Sequence, residues 1–284
     1  MTNPRGRCFS GPALSYFIGL AAMFYVACAP AYSGERDEVP LVAAATNVGA
    51  ALDSIRIAFQ RDTGRQIKVV AGASGNLMRQ IMRGAPYQLF LSANERYADQ
   101  LIQLGLTHGK GKLYALGRLS VFIPSASRLP PTRYSPITFI DTRIKRLAIA
   151  NPEHAPYGYA AREALQHLGE WQELRRSIVI GENASQALQF ALTGSVDAAI
   201  VPTSFMRHES ALAAGAFTAL PAKWHQPIRQ KAVLIKVASD DAVAFFDYLN
   251  SSAARKIWQQ NGYGLPDLTQ PLPESPTSPE LSGL

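Results

Sequence analysis

Four short segments of this 284-residue chain could bind an anion without using a charged side chain. In each, a strand or loop runs into a helix start rich in small or hydroxyl residues: Ala45-Thr46-Asn47, Ala73-Ser74-Gly75-Asn76, Pro156-Tyr157-Gly158 and Glu182-Asn183-Ala184. The first N–H groups of a helix lack intrahelical partners, and the helix dipole adds partial positive charge there. A single segment of this kind is also typical of an ordinary N-cap. Four of them converging would form a trap for a tetrahedral anion.

The elements that must position these segments follow an α/β pattern, in which short apolar runs alternate with helix-length amphipathic segments. Helices are predicted over Gly49–Gln60 and Asn76–Arg83, because apolar residues recur on one face of each. The runs predicted as strands are Leu41–Ala45, Ile67–Val70, Gln88–Ser92, Leu119–Ile123, Arg146–Ala150, Ala198–Val201 and Lys231–Val237.

Residues 1–33 have the order of a secretory signal peptide: Arg5 and Arg7, an apolar stretch over residues 13–29, then small residues. The alternative of a membrane anchor is disfavoured, because the apolar stretch is shorter than the ~20 residues of a spanning helix. Both cysteines, Cys8 and Cys28, lie in this segment. Cleavage would therefore leave no disulfide or catalytic thiolate. A minor alternative is a lipid anchor on Cys28.

At the other end, residues 267–284 combine four prolines with serine and threonine, which predicts a disordered tail.

Composition and spacing argue against several other functions. The net charge of +7 can steer anions, but the basic residues are scattered without an aromatic platform, so nucleic acid is not expected as a partner. The five histidines show no metal-ligand spacing, and neither a cofactor nor a direct metal ligand is expected. Ser74 invites comparison with the nucleophile of a serine hydrolase. The elbow motif, however, needs glycine two residues after the serine, and Asn76 stands there.

The same segments resemble the periplasmic molybdate-binding proteins of ABC transporters. The resemblance covers about residues 40–265 and rests on Val42-Ala43-Ala44-Ala45-Thr46-Asn47, the phrases over residues 72–77 and 84–93, Asn151-Pro152-Glu153-His154-Ala155-Pro156-Tyr157-Gly158, and Gly181-Glu182-Asn183. It implies a type II periplasmic-binding fold, with two α/β lobes joined by two crossovers around a ligand cleft. The implied first lobe comprises residues 39–118 plus 228–266, and the second residues 119–227.

The resemblance also implies the ligand shell. Thr46, Asn47 and Ser74 would donate from the first lobe, and the backbone at Tyr157 and at Ala184 from the second. Where some members have a tyrosine that reaches the anion, this chain has Pro202, which offers no donor; the Asn47 amide is expected to replace it.

The expected function is that of a monomeric, non-enzymatic periplasmic receptor. It would bind molybdate or tungstate and deliver it to an ABC permease and its ATPase. A donor-only site suits a fully deprotonated oxyanion. The alternatives are a receptor for sulfate or phosphate and, from another class, an exported serine hydrolase.

Overall fold

The structure is a computed structural model that describes residues 39–127 and 144–267. The predicted signal peptide over residues 1–33, Cys28, and the tail beyond residue 267 lie outside the described residues.

Ten strands and nine α-helices occur in the described ranges, together with 3₁₀ turns at Thr46–Val48, Thr203–Arg207 and Ala222–Trp224. The strands are β1 (Leu41–Ala45), β2 (Lys68–Gly72), β3 (Leu89–Ser92), β4 (Thr107–Gly117), β5 (Leu119–Pro124), β6 (Leu147–Ala150), β7 (Ile178–Gly181), β8 (Ala198–Pro202), β9 (Gly215–Ala219) and β10 (Ile228–Ile235). The helices are α1 (Gly49–Thr63), α2 (Ser74–Met82), α3 (Glu95–Gln103), α4 (Pro156–His167), α5 (Trp171–Leu174), α6 (Ala184–Leu192), α7 (Glu209–Ala214), α8 (Asp240–Tyr248) and α9 (Ser252–Gln260).

These strands form two five-stranded mixed sheets of matching topology. The first has the order β2-β1-β3-β10-β4, and the second β7-β6-β8-β5-β9. In each, three parallel strands are followed by antiparallel pairs. We call the first sheet with α1, α2, α3, α8 and α9 the first lobe, and the second sheet with α4 to α7 the second lobe. The chain passes between them at Arg118 and again over residues 220–227.

The central strands are buried on both faces, which explains their continuous apolar runs. In β1, Val42 and Ala43 are fully buried, and β6 is buried throughout. Apolar side chains from α1, α8 and α9 cover one face of the first sheet, and those of α2 and α3 cover the other. The second sheet has its own core, to which α4 and α6 contribute. Each sheet therefore has apolar packing that supports the loops leaving its strands, and Ala45, Ala73 and Ala93 of the first lobe also contribute to the second core.

All seven predicted strands occur, with ends shifted by up to three residues. The sequence did not predict β4, β7 and β9, and all three lie at sheet edges. Strand β9 is partly exposed along its length, which weakens its apolar pattern, whereas β7 contains the apolar run Ile178-Val179-Ile180 and could have been predicted from it. In β4 the pattern is further broken by Gly109 and Gly111, both with positive φ. A Cβ at Gly111 would lie 2.5 Å from the Ala232 carbonyl oxygen on β10, so glycine is required there.

Candidate functional site

A small cavity lies where helix starts of the two lobes meet at the carboxyl ends of the parallel strands. Its volume is about 210 Å³, counting the space at its mouth. It is far too small for a drug-sized ligand, so the cavity suits a small solute. Neither an acidic nor a basic side chain is among the described residues that line it: Ala45, Thr46, Asn47, Gly72, Ala73, Ser74, Ala93, Ala155, Pro156, Tyr157, Asn183 and Ala184.

The structure brings all five residues predicted for the site, Thr46, Asn47, Ser74, Tyr157 and Ala184, to the lining of this one cavity. Pro202 ends β8 and pairs with Leu119 instead of lining the cavity. Glu182 is 53% exposed at its side chain and is not among the lining residues.

Ser74 is the first residue of α2 and is fully buried. The helix cap is Ala73, so the Ser74 side chain does not serve as an N-cap. Its Oγ accepts a hydrogen bond of 3.0 Å from the Ala93 N–H. A hydroxyl that accepts through its oxygen still has its own hydrogen to donate. Ser74 can therefore offer both its O–H and its own backbone N–H to a solute in the cavity.

Thr46 stands in the 3₁₀ turn between β1 and α1. Within residues 39–127 and 144–267, its hydroxyl has no hydrogen-bonded protein partner. It is thus available to a solute in the cavity.

The second lobe supplies two helix starts. Helix α4 begins at Pro156, which has no N–H, so Tyr157 carries the first backbone donor of that helix. The next two N–H groups, of Gly158 and Tyr159, both bond to the Ala155 carbonyl oxygen. At α6, Asn183 is a true N-cap whose Oδ1 accepts from the Gln186 N–H at 3.1 Å. This leaves the Ala184 N–H without an intrahelical partner.

Asn47 lies at the edge of a buried polar cluster that the sequence did not reveal. Its Nδ2 is 2.9 Å from Gln230 Oε1, 3.1 Å from Tyr263 Oη and 3.3 Å from Tyr157 Oη. Its carbonyl oxygen accepts from Tyr263 Oη at 2.6 Å and from Ser204 Oγ at 3.0 Å. Since Tyr157 belongs to the second lobe, the cluster crosses the cleft.

Gln230 and Tyr114 complete this cluster from β10 and β4, and both are fully buried. Gln230 Nε2 donates to Tyr157 Oη at 3.1 Å, and Tyr114 Oη lies 3.0 Å from Gln230 Oε1 and 3.2 Å from the Ser92 carbonyl oxygen. Burial raises the pKa of Tyr114 and of Tyr157 well above the usual 10.0. The phenols are therefore neutral at physiological pH and can donate. The sequence signal that could have indicated this cluster is a glutamine inside a buried strand.

Direct contacts between the lobes surround the mouth of the cavity. The Gly75 N–H, in the first turn of α2, donates to the His154 carbonyl oxygen of the second lobe at 3.0 Å. A Cβ at Gly75 would lie 2.9 Å from His154 Cβ, so the absence of a side chain permits this approach. Asn76 Nδ2 donates to Glu182 Oε1, which also lies 3.3 Å from His154 Nε2. The structure is a closed arrangement of the two lobes.

Two α/β lobes that close on a small donor-lined cavity define a solute receptor of the type II periplasmic-binding class, and the fold predicted from the sequence is confirmed. The chain belongs to the family described as "Bacterial extracellular solute-binding protein", whose model matches residues 40–264. No helix in the described ranges is long and apolar enough to cross a membrane.

Within this family, the chain is similar to several proteins that are named as molybdate-binding proteins. It is 31% identical over 256 residues to the molybdate-binding protein ModA of Rhodobacter capsulatus, covering 88% of this chain and 94% of that one. It is 32% identical over 227 residues to ModA of Azotobacter vinelandii, covering 79% and 89%. The solved periplasmic molybdate-binding protein of Azotobacter vinelandii superimposes with a TM-score of 0.73 at 29% identity, over 80% of this chain and all of that one.

Proposed function

We propose that this protein binds molybdate or tungstate in the cavity between its lobes and delivers it to an ABC importer. The observation that carries the proposal is the convergence of uncharged donors on one small cavity. The donors are the hydroxyls of Thr46 and Ser74 and the backbone N–H groups of Tyr157 and Ala184. The Asn47 amide is proposed to join them. The names of the relatives support molybdate as the solute.

The chemistry of the lining favours a fully deprotonated oxyanion. Such an anion accepts hydrogen bonds at every oxygen, whereas protonated phosphate also brings an O–H that needs an acceptor. No carboxylate is among the described lining residues to supply that acceptor. Hydrogen bonds to charged groups contribute ~1.5–3 kcal/mol each. Several of them would support tight binding after the costs of desolvation and closure are subtracted.

The proposed setting is the periplasm, reached after cleavage of residues 1–33. There a monomer without a cofactor would present its closed lobes to a permease and its ATPase. Membership of an extracellular solute-binding family supports this setting. A non-enzymatic role is also supported by the Ser74 hydroxyl: within the described residues its hydrogen-bond partner is the Ala93 N–H and not a histidine ring.

Isothermal titration of the mature protein with molybdate, tungstate, sulfate and phosphate tests the proposal. We expect saturable one-to-one binding of molybdate and tungstate, and thermal stabilisation that grows as RT ln(1 + [L]/Kd). Binding of sulfate or phosphate without molybdate would replace the proposed ligand by the alternative oxyanion. Release of an acyl group from ester substrates, abolished in Ser74→Ala, would instead favour a hydrolase.

A further inference from the structure

The hydrogen bonds around Asn47 do not balance when its amide nitrogen faces the buried cluster. Two hydrogens on Nδ2 face three oxygens, those of Gln230, Tyr263 and Tyr157. Within the described ranges, the Tyr157 hydroxyl accepts two hydrogen bonds but has no acceptor for its own hydrogen. The Asn47 Oδ1 atom, in turn, has no donor among the described residues. Buried donors without an acceptor destabilise a folded protein.

The nitrogen and oxygen of a carboxamide are nearly the same size, and their assignment follows from the surrounding hydrogen bonds. We propose that Gln230 and Tyr157 are positioning residues that hold the Asn47 amide with its oxygen in the buried cluster and its NH₂ toward the cavity. The proposal deepens the function proposed above and rests on it. The orientation of the Asn47 donor then depends on Gln230 and Tyr157, whose side chains do not contact the anion.

Exchanging the two amide atoms on both Asn47 and Gln230 gives every hydrogen in the cluster one acceptor, except the two hydrogens on the Asn47 NH₂. Gln230 Nε2 then donates to Asn47 Oδ1 over the 2.9 Å separation and to Tyr114 Oη over 3.0 Å. Tyr157 O–H donates to Gln230 Oε1 over 3.1 Å, and Tyr114 O–H donates to the Ser92 carbonyl oxygen over 3.2 Å. Tyr263 O–H keeps its 2.6 Å bond to the Asn47 carbonyl oxygen.

This arrangement places the Asn47 NH₂ where no described protein atom accepts from it, on a residue that lines the cavity. A tetrahedral dianion would provide the missing acceptors. Because Tyr157 comes from the second lobe and Gln230 from the first, the cluster is completed when the lobes are together. The orientation of the Asn47 donor is thereby coupled to closure of the cleft.

A double-mutant cycle read by titration with molybdate tests the assignment. Asn47→Ala should weaken binding about ten- to a hundredfold, since it removes a donor to a charged ligand. Gln230→Met, of similar volume, should weaken binding about tenfold in the wild-type background and less than twofold in the Asn47→Ala background. Equal losses in the two backgrounds would show that Gln230 does not act through Asn47, and would overturn the proposal.

Tyr157→Phe is the second variant, and it leaves the backbone N–H of Tyr157 in place. We expect it to weaken molybdate binding about two- to tenfold, again only when Asn47 is present. Tyr87→Phe is the matched control, since Tyr87 is also a buried phenol that donates to a glutamine, at 2.8 Å from Gln80 Oε1. It should leave affinity unchanged. An equal loss in the control would assign the effect to general destabilisation and overturn the proposal.

The wild-type protein gives an independent readout that needs no variant beyond the one used for assignment. With ¹⁵N labelling, the side-chain amide signal that disappears in Asn47→Ala should shift on addition of molybdate. An unshifted signal in a protein that binds molybdate would overturn the proposed orientation and leave the proposed function intact. Absence of molybdate binding by the wild type would overturn both.

Discussion

Replacing Gly75 with alanine tests whether the lobes must come together to bind the solute. Gly75 is the second residue of α2, and its N–H donates across the cleft to the His154 carbonyl oxygen at 3.0 Å. The added Cβ would lie 2.9 Å from His154 Cβ, 3.0 Å from its carbonyl oxygen and 3.2 Å from its Cα. Two of these three atoms are backbone, so the contact cannot be relieved by a rotamer change.

The expected effects on affinity and on stability have opposite signs. Overpacking at a close contact costs typically ~1–3 kcal/mol, and lengthening of the cross-lobe hydrogen bond adds ~0.5–1.5 kcal/mol. Both costs fall on the closed state, so the Kd for molybdate should rise about tenfold to a thousandfold. Alanine is the better helix former, so the free protein should become more stable by up to ~1 kcal/mol.

Titration calorimetry with molybdate gives the affinity, and urea unfolding without ligand gives the stability. Gly49→Ala is the matched control, because Gly49 is the first residue of α1 and a Cβ there would meet nothing within 4 Å. It should raise stability in the same way and leave the Kd unchanged. If Gly75→Ala also binds with the wild-type Kd, the contact between Gly75 and His154 is not part of the ligand-bound state.

Three further substitutions and one scattering measurement extend this reasoning. Ser74→Asp keeps an acceptor for the Ala93 N–H but sets a negative charge against the anion, so it should fold and lose molybdate binding by titration; retained binding would remove Ser74 from the site. Gly117→Ala should weaken molybdate binding, because a Cβ there would lie 2.4 Å from Tyr157 Oη; an unchanged Kd would show that the phenol can be displaced without loss. Burial raises the pKa of Glu170 from 4.5 to about 7, so its charge destabilises the fold increasingly as pH rises between these values. Glu170→Gln should therefore raise the melting temperature at pH 8 and leave it nearly unchanged at pH 4, and equal shifts at both would exclude this linkage. In solution scattering, saturating molybdate should reduce the radius of gyration, and an identical radius with and without ligand would count against closure.

The α/β fold class and the segments that line the cavity could both be predicted from the sequence. Local chemistry determines both: buried parallel strands require apolar runs, and helix starts require small or hydroxyl residues within a few positions of a strand end. The resemblance to molybdate-binding proteins implied a ligand shell of five residues in these helix starts, and all five line one cavity: Thr46, Asn47, Ser74, Tyr157 and Ala184. Their role as ligands stays a prediction. The edge strands β4, β7 and β9 were not predicted, although β7 contains the apolar run Ile178-Val179-Ile180 that could have indicated it.

The buried polar cluster next to the cavity could be identified only from the tertiary structure. Gln230 is separated from Asn47 by 183 positions and Tyr263 by 216, and nothing local in the sequence connects them. Gln230 reaches Asn47 because β10 enters the first sheet antiparallel between β3 and β4, at a register that places it opposite Ala115. Likewise, the need for glycine at position 75 arises from His154 in the other lobe. A strand's own residues determine which of its faces is buried, but its neighbours and register determine which polar groups meet there, and these depend on the whole chain.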